Sequence, residues 1–153
     1  EFSPKSFPKK LCTGKQENFL VKIENYQGLD LCVTSLERTV VDCLDKPNFA
    51  GGHEEMWRSL SMIQRLDLDK LFEYLTFLEN STLFAKTGFF LEQQKEVLGI
   101  DEDYLKFLQG FIPKKAHYFE RTKREKGIYI KQWNLIVPEK MYHRLWEEPN
   151  ESI

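Results

Sequence analysis

The chain has 153 residues, which is the length of a single domain. Hydrophobic residues make up 41% and charged residues 30%, so the composition predicts a folded domain and excludes a disordered chain. A net charge of −2 excludes the strongly basic composition that is typical of nucleic-acid-binding domains. We therefore expect one domain over residues 1–153.

The sequence predicts neither a membrane span nor a signal peptide in these residues. No apolar run approaches the ~20 residues that cross a bilayer. The first ten residues, EFSPKSFPKK, carry charges and prolines in place of an apolar signal-peptide core. The odd number of cysteines, Cys12, Cys32 and Cys43, without a CxxC pair, indicates reduced thiols. These features predict a cytoplasmic protein with no membrane partner and no cofactor, and the absence of an initial Met predicts a further N-terminal part.

The first predicted elements are a β-hairpin and a helix. Residues 19–25 and 29–33 alternate apolar and polar side chains around a glycine-containing turn, which predicts two paired strands. Thr34 stands three residues before Glu37, which is the spacing of a capping box, so a helix is predicted to begin there. Pro47 is predicted to end this helix, because proline lacks a backbone N–H and disfavours helical geometry in the residue before it.

The centre of the chain is predicted to be helical, since apolar residues recur there at helical spacing. One of these helices contains Gly88, which costs about 1 kcal/mol relative to Ala and therefore indicates a close packing contact. The predicted helices cover residues 53–65, the stretch from a cap at Asp67 or Asp69 to a break at Asn80, residues 82–98 with a C-cap at Gly99, and residues 101–110.

The C-terminal part is predicted to return to β-structure. Residues 117–122 and 127–131 are expected to form a hairpin, followed by a short strand at 134–137 and a short helix that begins after Pro138. The predicted class is α+β, with four or five helices flanked by short N-terminal and C-terminal strands. Because an isolated hairpin is only marginally stable, we expect both β segments to pack on helices or to join one sheet.

Three stretches of the sequence resemble the C-terminal domain of AbiE-type antitoxins, which belong to type IV toxin–antitoxin systems. Residues 33–55, VTSLERTVVDCLDKPNFAGGHEE, resemble the signature at the start of that domain. Residues 83–93, LFAKTGFFLEQ, are similar to its Lys/Arg-x-Gly-x-x-Leu-Glu helix, and residues 133–138, WNLIVP, are similar to its closing strand. The signature residues are Glu37, Arg38, Thr39, Asp42, Gly51, Gly52 and Gly88.

The resemblance implies one part of a two-part protein. In that family an N-terminal winged-helix domain binds the promoter DNA of its operon, and the C-terminal domain counteracts a toxin of nucleotidyltransferase type. This chain corresponds to the C-terminal domain, so the winged-helix domain is expected to be missing from it. The resemblance therefore implies a non-enzymatic antitoxin and transcriptional regulator whose partner is the toxin, neutralised directly or indirectly.

The polar residues of the signature allow two interpretations. They form a docking surface for a partner, or they serve the architecture of the first helix. In the architectural interpretation Glu37 closes the helix cap, and Arg38 pairs with Asp42 four residues further along the same helix face.

The most basic segment of the chain, residues 114–131, indicates an alternative function. Seven Lys or Arg residues stand there against two Glu, a net charge of +5, and Tyr118, Phe119 and Tyr129 lie among them. Basic side chains contact phosphates and aromatic rings stack on bases, so the segment is a candidate nucleic-acid site, a candidate surface for an acidic protein, or a solvated hairpin with a charged tip. The candidate partner-binding residues are Lys114, Lys115, Arg121, Lys123, Arg124 and Lys126.

A hydrolase or nuclease with an unrecognised site is the remaining hypothesis. Asp67 and Asp69 have the Asp-x-Asp spacing with which nucleotidyltransferases bind Mg²⁺, but the upstream Gly-Ser motif is missing and a helix cap is needed at this point. His53 and Glu54 could begin a zinc-binding His-Glu-x-x-His helix, but Trp57 occupies the position of the second His. The sequence predicts no catalytic residue and no metal site.

Overall fold

The described part of the chain begins with a β-hairpin. The structure is a computed structural model that describes residues 19–120 and 126–145. Strands β1 (Val21–Tyr26) and β2 (Leu29–Thr34) pair antiparallel, as the alternating sequence predicts. Gln27 and Gly28 connect them with φ values of 50° and 85°, and positive φ at both central residues is the requirement of a type I′ turn.

The hairpin does not pack in the way that we expected from the sequence. It forms a two-stranded sheet of its own and does not join the C-terminal strands. All its strand side chains are exposed except the half-buried Val21 and Thr34 at its base. The alternation predicted the strands correctly, but it does not specify what covers their apolar side chains.

Seven α-helices lie in the described residues. Four of them begin at side-chain caps, where Ser35, Asp67, Asn80 and Asp101 accept hydrogen bonds from backbone N–H groups of the first turn. The helices are α1 (Leu36–Asp45), α2 (His53–Ser61), α3 (Leu68–Leu78), α4 (Ser81–Gln93), α5 (Lys95–Leu98), α6 (Glu102–Gln109) and α7 (Glu139–Tyr142), and a 3-10 helix (Pro47–Ala50) follows α1.

The first helix begins one residue later than the capping-box spacing predicts. Ser35 is the N-cap, since its Oγ accepts a hydrogen bond of 3.2 Å from the backbone N–H of Arg38. Thr34 belongs to β2 instead, and its hydroxyl shares a hydrogen bond of 2.7 Å with the hydroxyl of Thr39. The predicted cap at Thr34 is therefore wrong.

Two predicted helices are shorter than their sequence patterns. α2 ends at Ser61 instead of residue 65, and the helix predicted over 82–98 is divided at Gln94 into α4 and α5. Gln94 is buried, and its side-chain amide donates to the hydroxyl of Ser61 at 3.2 Å. At the same residue the backbone leaves helical geometry, with φ −107° and ψ 12°. Gly99 ends α5 with φ 65°, as predicted.

The C-terminal strands form a three-stranded sheet with an order that the sequence did not predict. Its strands are β3 (His117–Tyr118), β4 (Gly127–Ile130) and β5 (Leu135–Pro138). β5 lies in the centre, parallel to β3 and antiparallel to β4. The predicted hairpin of 117–122 with 127–131 is therefore wrong. A 3-10 helix (Lys131–Trp133) reverses the chain after β4, and β5 then takes the place between the other two strands.

Helix α4 forms the centre of the core. Its residues from Thr82 to Leu91 are all buried, which is the pattern of a helix packed on every side. Helices α1 and α6 pack against it, and so does the inner face of the C-terminal sheet. Trp57 of α2 adds ring contacts to Phe89 and Phe90, with centroids 5.7 and 5.6 Å apart. The fold is thus α+β, as predicted.

Candidate functional site

Arg38 and Asp42 of the signature belong to a buried polar network. Arg38 is fully buried, and its Nη1 donates to the backbone carbonyl of Phe19 at 2.8 Å. Its Nε pairs with Asp42 Oδ2 at 3.3 Å, as the spacing of four residues predicts. The guanidinium also lies over the ring of Tyr74, with Cζ 5.4 Å from the ring centroid. A buried charge needs such partners, so these contacts make Arg38 part of the core.

Asp42 connects this network to α3. The hydroxyl of Tyr74 donates to Asp42 Oδ1 at 2.6 Å. Burial raises the pKa of the Asp42 carboxyl, while the Tyr74 hydroxyl and the Arg38 guanidinium act in the opposite direction. Burial, together with the neighbouring Asp42, raises the pKa of Tyr74 far above its ordinary value. The Tyr74 hydroxyl is therefore a neutral hydrogen-bond donor at physiological pH.

Glu37 and Thr39 also make contacts within the fold. The predicted capping box of Thr34 with Glu37 is not formed. The Glu37 carboxylate is 9% exposed and accepts a hydrogen bond of 2.9 Å from the backbone N–H of Asp67, which precedes α3. The Thr39 hydroxyl donates to the carbonyl of Ser35 at 2.8 Å. The four polar signature residues of α1 thus hold α1, α3 and the base of the hairpin together.

Gly51 and Gly52 supply a sharp connection between the 3-10 helix and α2. Their φ values are 86° and 99°, in the region that side chains with a Cβ adopt only with strain. Gly51 is the left-handed residue that ends the 3-10 helix. The backbone N–H of Gly52 bonds to the carbonyl of Pro47 at 2.9 Å, immediately before α2 begins. The glycine pair of the signature therefore has a conformational role.

Gly88 makes room for the ring of Trp133, which is the close contact that its position inside a helix predicts. A Cβ atom on Gly88 would lie 2.1 Å from Trp133 Cζ3. Trp133 is fully buried, and its indole Nε1 donates to Glu92 Oε2 at 2.8 Å. Two of the stretches that carry the family resemblance, residues 83–93 and 133–138, therefore contact each other directly.

Lys86 lines a cavity of about 430 Å³ beside the end of α1, the 3-10 helix Pro47–Ala50 and β3. The Lys86 ammonium donates to the carbonyl of Leu44 at 3.2 Å and lies 5.0 Å from the ring centroid of Phe119. The other charged side chains of the lining are Asp45, Lys46 and Glu120, so both signs of charge are present. This mixture does not select an anion or a cation.

The histidines do not converge on one site. His53 Nδ1 lies 2.9 Å from Glu120 Oε2, and the two side chains are 15% and 14% exposed. His117 Nδ1 shares a hydrogen bond of 3.0 Å with the Thr82 hydroxyl.

Asp67 of the Asp-x-Asp pair caps α3, because its Oδ1 accepts a hydrogen bond from the backbone N–H of Lys70 at 3.2 Å. Within residues 19–120 and 126–145, no three His, Cys, Asp or Glu side chains are grouped as a metal site requires.

Cys32 and Cys43 are free thiols in different environments, and Cys12 lies outside the described residues. Cys32 is exposed on β2, whereas Cys43 is half-buried on α1 and packs against the core. Burial raises the pKa of the Cys43 thiol, and the nearby Asp42 raises it further. Near neutral pH the Cys43 thiol therefore stays protonated, which makes it a poor nucleophile.

The predicted basic partner-binding residues lie only partly in the described chain. Lys114, Lys115 and Lys126 are exposed. Arg121, Lys123 and Arg124 lie outside the described residues. The described lysines do not belong to one hairpin, because β5 separates β3 from β4. They stand instead at the ends of the segments that build the three-stranded sheet.

The hairpin β1–β2 exposes a large apolar surface that sequence reasoning missed. Ile23, Leu29 and Tyr26 are 73%, 67% and 63% exposed, respectively. Further exposed apolar residues on the hairpin and just after it are Leu31, Val33 and Leu36. A signal for this surface was present in the sequence, since both strands carry apolar residues and no third strand stands next to the pair in the chain.

Both faces of the hairpin contribute to this surface. Residues that pair across antiparallel strands point to the same face, so Tyr26 and Leu29 lie together on one face. Ile23 and Cys32, which also pair, lie on the opposite face. Leu31 and Val33 alternate with Leu29 along β2 and point to the same face, so four exposed apolar side chains form a stripe on one face and Ile23 lies on the other.

Comparisons with known proteins give no relative from which a role for these residues could be taken. In the described ranges, with their gap at 121–125, no helix has the length and apolar character needed to cross a bilayer. No family model, no curated protein and no solved structure matches the chain.

Proposed function

We propose that this chain is the C-terminal domain of an AbiE-type antitoxin, a cytoplasmic and non-enzymatic protein that counteracts a nucleotidyltransferase-type toxin by direct contact. Binding of promoter DNA would then belong to a winged-helix domain outside this chain. The observation that supports the proposal is the hairpin β1–β2, whose apolar side chains are exposed on both faces. The hairpin is the surface that we assign to the toxin.

The energetics of the hairpin favour a bound partner. A two-stranded hairpin without a covered face is only marginally stable in water. Burial of an exposed apolar side chain such as Ile23 or Leu29 contributes about 1.5–3 kcal/mol. Within residues 19–120 and 126–145 no third strand pairs with this hairpin, so a partner could add a strand to it by backbone hydrogen bonds. A protein that covers the hairpin would therefore gain both apolar contacts and backbone pairing.

The charge of the hairpin fits a protein partner better than a nucleic acid. Its charged residues are Lys22, Glu24 and Asp30, which give a net charge of −1 over β1 and β2. A polyanion would be repelled by the two carboxylates and would leave the apolar side chains uncovered. An apolar protein surface with a few polar groups at its rim has the matching composition.

The packing of the resembling motifs also supports the proposal. Lys86, in the second motif, donates to the carbonyl of Leu44 in the first. Gly88 and Glu92 of the second motif both contact Trp133, which begins the third. Three stretches that are distant in sequence thus form one packed unit, which is the behaviour expected of motifs that define a single family fold.

A growth-rescue assay tests the proposal. The chain is co-expressed with the product of the gene beside its own, which the proposal expects to be a nucleotidyltransferase-type toxin, and the wild type is expected to restore growth. The double variant Ile23→Asp/Leu29→Asp places two carboxylates in the apolar contact, so binding should weaken by about 100-fold or more and rescue should be lost. Met62→Asp is the matched control, because Met62 is 80% exposed and lies outside the hairpin.

Each outcome of this assay has a defined meaning. Rescue by the Met62→Asp variant and failure of the double variant, at equal expression and equal melting temperature, support the proposal. Full rescue by the double variant would show that the hairpin is not the contact surface. Failure of the wild type to rescue, with both proteins expressed, contradicts the antitoxin function itself.

A further inference from the structure

We propose that the outer face of the C-terminal sheet binds single-stranded nucleic acid, with bases stacked on Tyr118 and Tyr129 and phosphates bound by Lys114, Lys115 and Lys131. This activity is separate from the toxin contact. It uses a different surface, so either proposal can fail without the other.

The strand register places the two tyrosines in one row. Tyr118 of β3 and Tyr129 of β4 both pair with Ile136 of the central strand β5, so the three side chains point to the same face. Neighbouring strands lie about 4.8 Å apart, which puts the two rings roughly 10 Å from each other. Leu135 and Val137, which alternate with Ile136, are fully buried and define the opposite face as the inner one.

Both rings are accessible, and one is held in a fixed orientation. Tyr118 is 38% and Tyr129 is 51% exposed. The Tyr129 hydroxyl donates to Asn134 Oδ1 at 2.7 Å, and Asn134 Nδ2 donates to the carbonyl of Pro113 at 2.8 Å. A ring that is already oriented loses little conformational freedom when a base stacks on it. The outer face is therefore a partly preorganised stacking platform.

Asn134 also brings basic residues close to Tyr129. Pro113, which accepts the hydrogen bond from Asn134, directly precedes Lys114 and Lys115. The backbone N–H of Asn134 donates to the carbonyl of Lys131 at 3.2 Å. All three lysines are exposed, and the ion pairs within the described residues involve none of them. Their ammonium groups are thus available to phosphates.

The charge of the surrounding chain has the sign that a polyanion requires. Residues 114–120 and 126–145 carry six Lys or Arg against two Glu, which gives +4. One of these carboxylates, Glu120, is paired with His53. Lysines alone would also attract an acidic protein, but exposed rings separated by an apolar residue are suited to unstacked bases. Duplexes keep their bases stacked, so single strands are the expected ligand.

Fluorescence anisotropy tests this proposal on the full chain. The probes are dye-labelled thymidine and uridine homopolymers of about 15 nucleotides, a length close to one single-strand site. Stacking contributes about 1–3 kcal/mol per base, so Tyr118→Ala and Tyr129→Ala should each weaken binding by about 5-fold or more. Tyr26→Ala is the matched control, since Tyr26 is an exposed tyrosine on the hairpin, and it should bind like the wild type.

The salt dependence of binding tests the phosphate contacts. Lys114→Gln/Lys115→Gln should lower the slope of log affinity against log salt by about 0.7 for each lost contact. The proposal is overturned if neither homopolymer binds at low salt, or if the tyrosine variants bind like the wild type. Equal affinity for polyglutamate, or tighter binding of a duplex of the same length, would also overturn it, because either result would identify a general anion surface.

Discussion

Two effects on stability oppose each other at Gly88. Replacement of glycine by alanine inside a helix contributes about 1 kcal/mol through helix propensity. The new Cβ would lie 2.1 Å from Trp133 Cζ3, and both the ring and α4 around it are buried. Overlap in a packed core costs about 1–3 kcal/mol and sometimes more, because neighbouring groups have to move. The overlap should therefore outweigh the gain in propensity.

We predict that Gly88→Ala lowers the free energy of unfolding by about 1–3 kcal/mol in urea denaturation. Trp133→Leu should restore part of this loss in the Gly88→Ala background and should be destabilising alone. Gly110→Ala is the control, since Gly110 has a helical φ of −66° and its nearest contact to an added Cβ is at 3.3 Å. A Gly88→Ala variant as stable as the wild type would contradict the assigned contact with Trp133.

Single residues show which local signals can be derived from sequence and which cannot. The tight contact at Gly88 follows from helix propensity, whereas the sequence leaves the cap of α3 open between Asp67 and Asp69 and the structure selects Asp67. Thr34 and Ser35 are adjacent hydroxyl residues that can both cap a helix, and only the backbone geometry decides for Ser35. The partner of Glu37 is a backbone N–H 30 residues away, for which the sequence contains no local signal.

At the scale of elements, the sequence predicts where the strands lie better than it predicts which strands pair with each other. The period of 3.6 located the helices but not all of their ends, the alternation located β1 and β2, and β-rich composition located the C-terminal strands. Side-chain alternation marks a strand but does not name its partner. For this reason the hairpin of residues 117–122 with 127–131 was predicted, whereas β5 lies between β3 and β4. β3 has only two residues, so its pairing depends on the core beneath it.

For the candidate surfaces as well, the sequence predicts which residues are present better than it predicts how they are arranged in space. The basic residues near 114–131 were predicted from composition, but their arrangement around a tyrosine row depends on the strand order. The apolar surface of the hairpin was not predicted, because an alternating pair of strands usually indicates one covered face. The exposed fractions of Ile23 and Leu29 show that the described fold covers neither.

At the scale of the whole molecule, the buried Tyr74 and the half-buried Tyr104 connect stability to alkaline pH. Burial, with a contribution from Asp69, raises the pKa of Tyr104 from 10.0 to about 12, and its hydroxyl donates to the carbonyl of Leu68 at 3.1 Å. The folded chain keeps this proton where the unfolded chain releases it. Stability is therefore lost as pH rises through this window. The raised pKa of Tyr74 acts in the same direction.

We predict that the free energy of unfolding falls between about pH 10 and pH 12, as measured by urea denaturation at a series of pH values. Tyr104→Phe removes one of the groups that cause the fall, so its pH dependence should be shallower than that of the wild type. Tyrosinate absorbance should show delayed ionisation of two tyrosines until the chain unfolds. A pH dependence identical in the wild type and Tyr104→Phe would contradict the assigned burial of Tyr104.

The central claim is that the hairpin β1–β2 is the surface that contacts a toxin, and hydrogen–deuterium exchange of the complex tests it most directly. The chain is labelled alone and with the nucleotidyltransferase-type toxin that the proposal expects as its partner. We predict that amides of residues 21–34 exchange rapidly in the free chain, because both faces of the hairpin are exposed, and are protected in the complex. Unchanged exchange over residues 21–34 together with new protection elsewhere on the chain would contradict the claim.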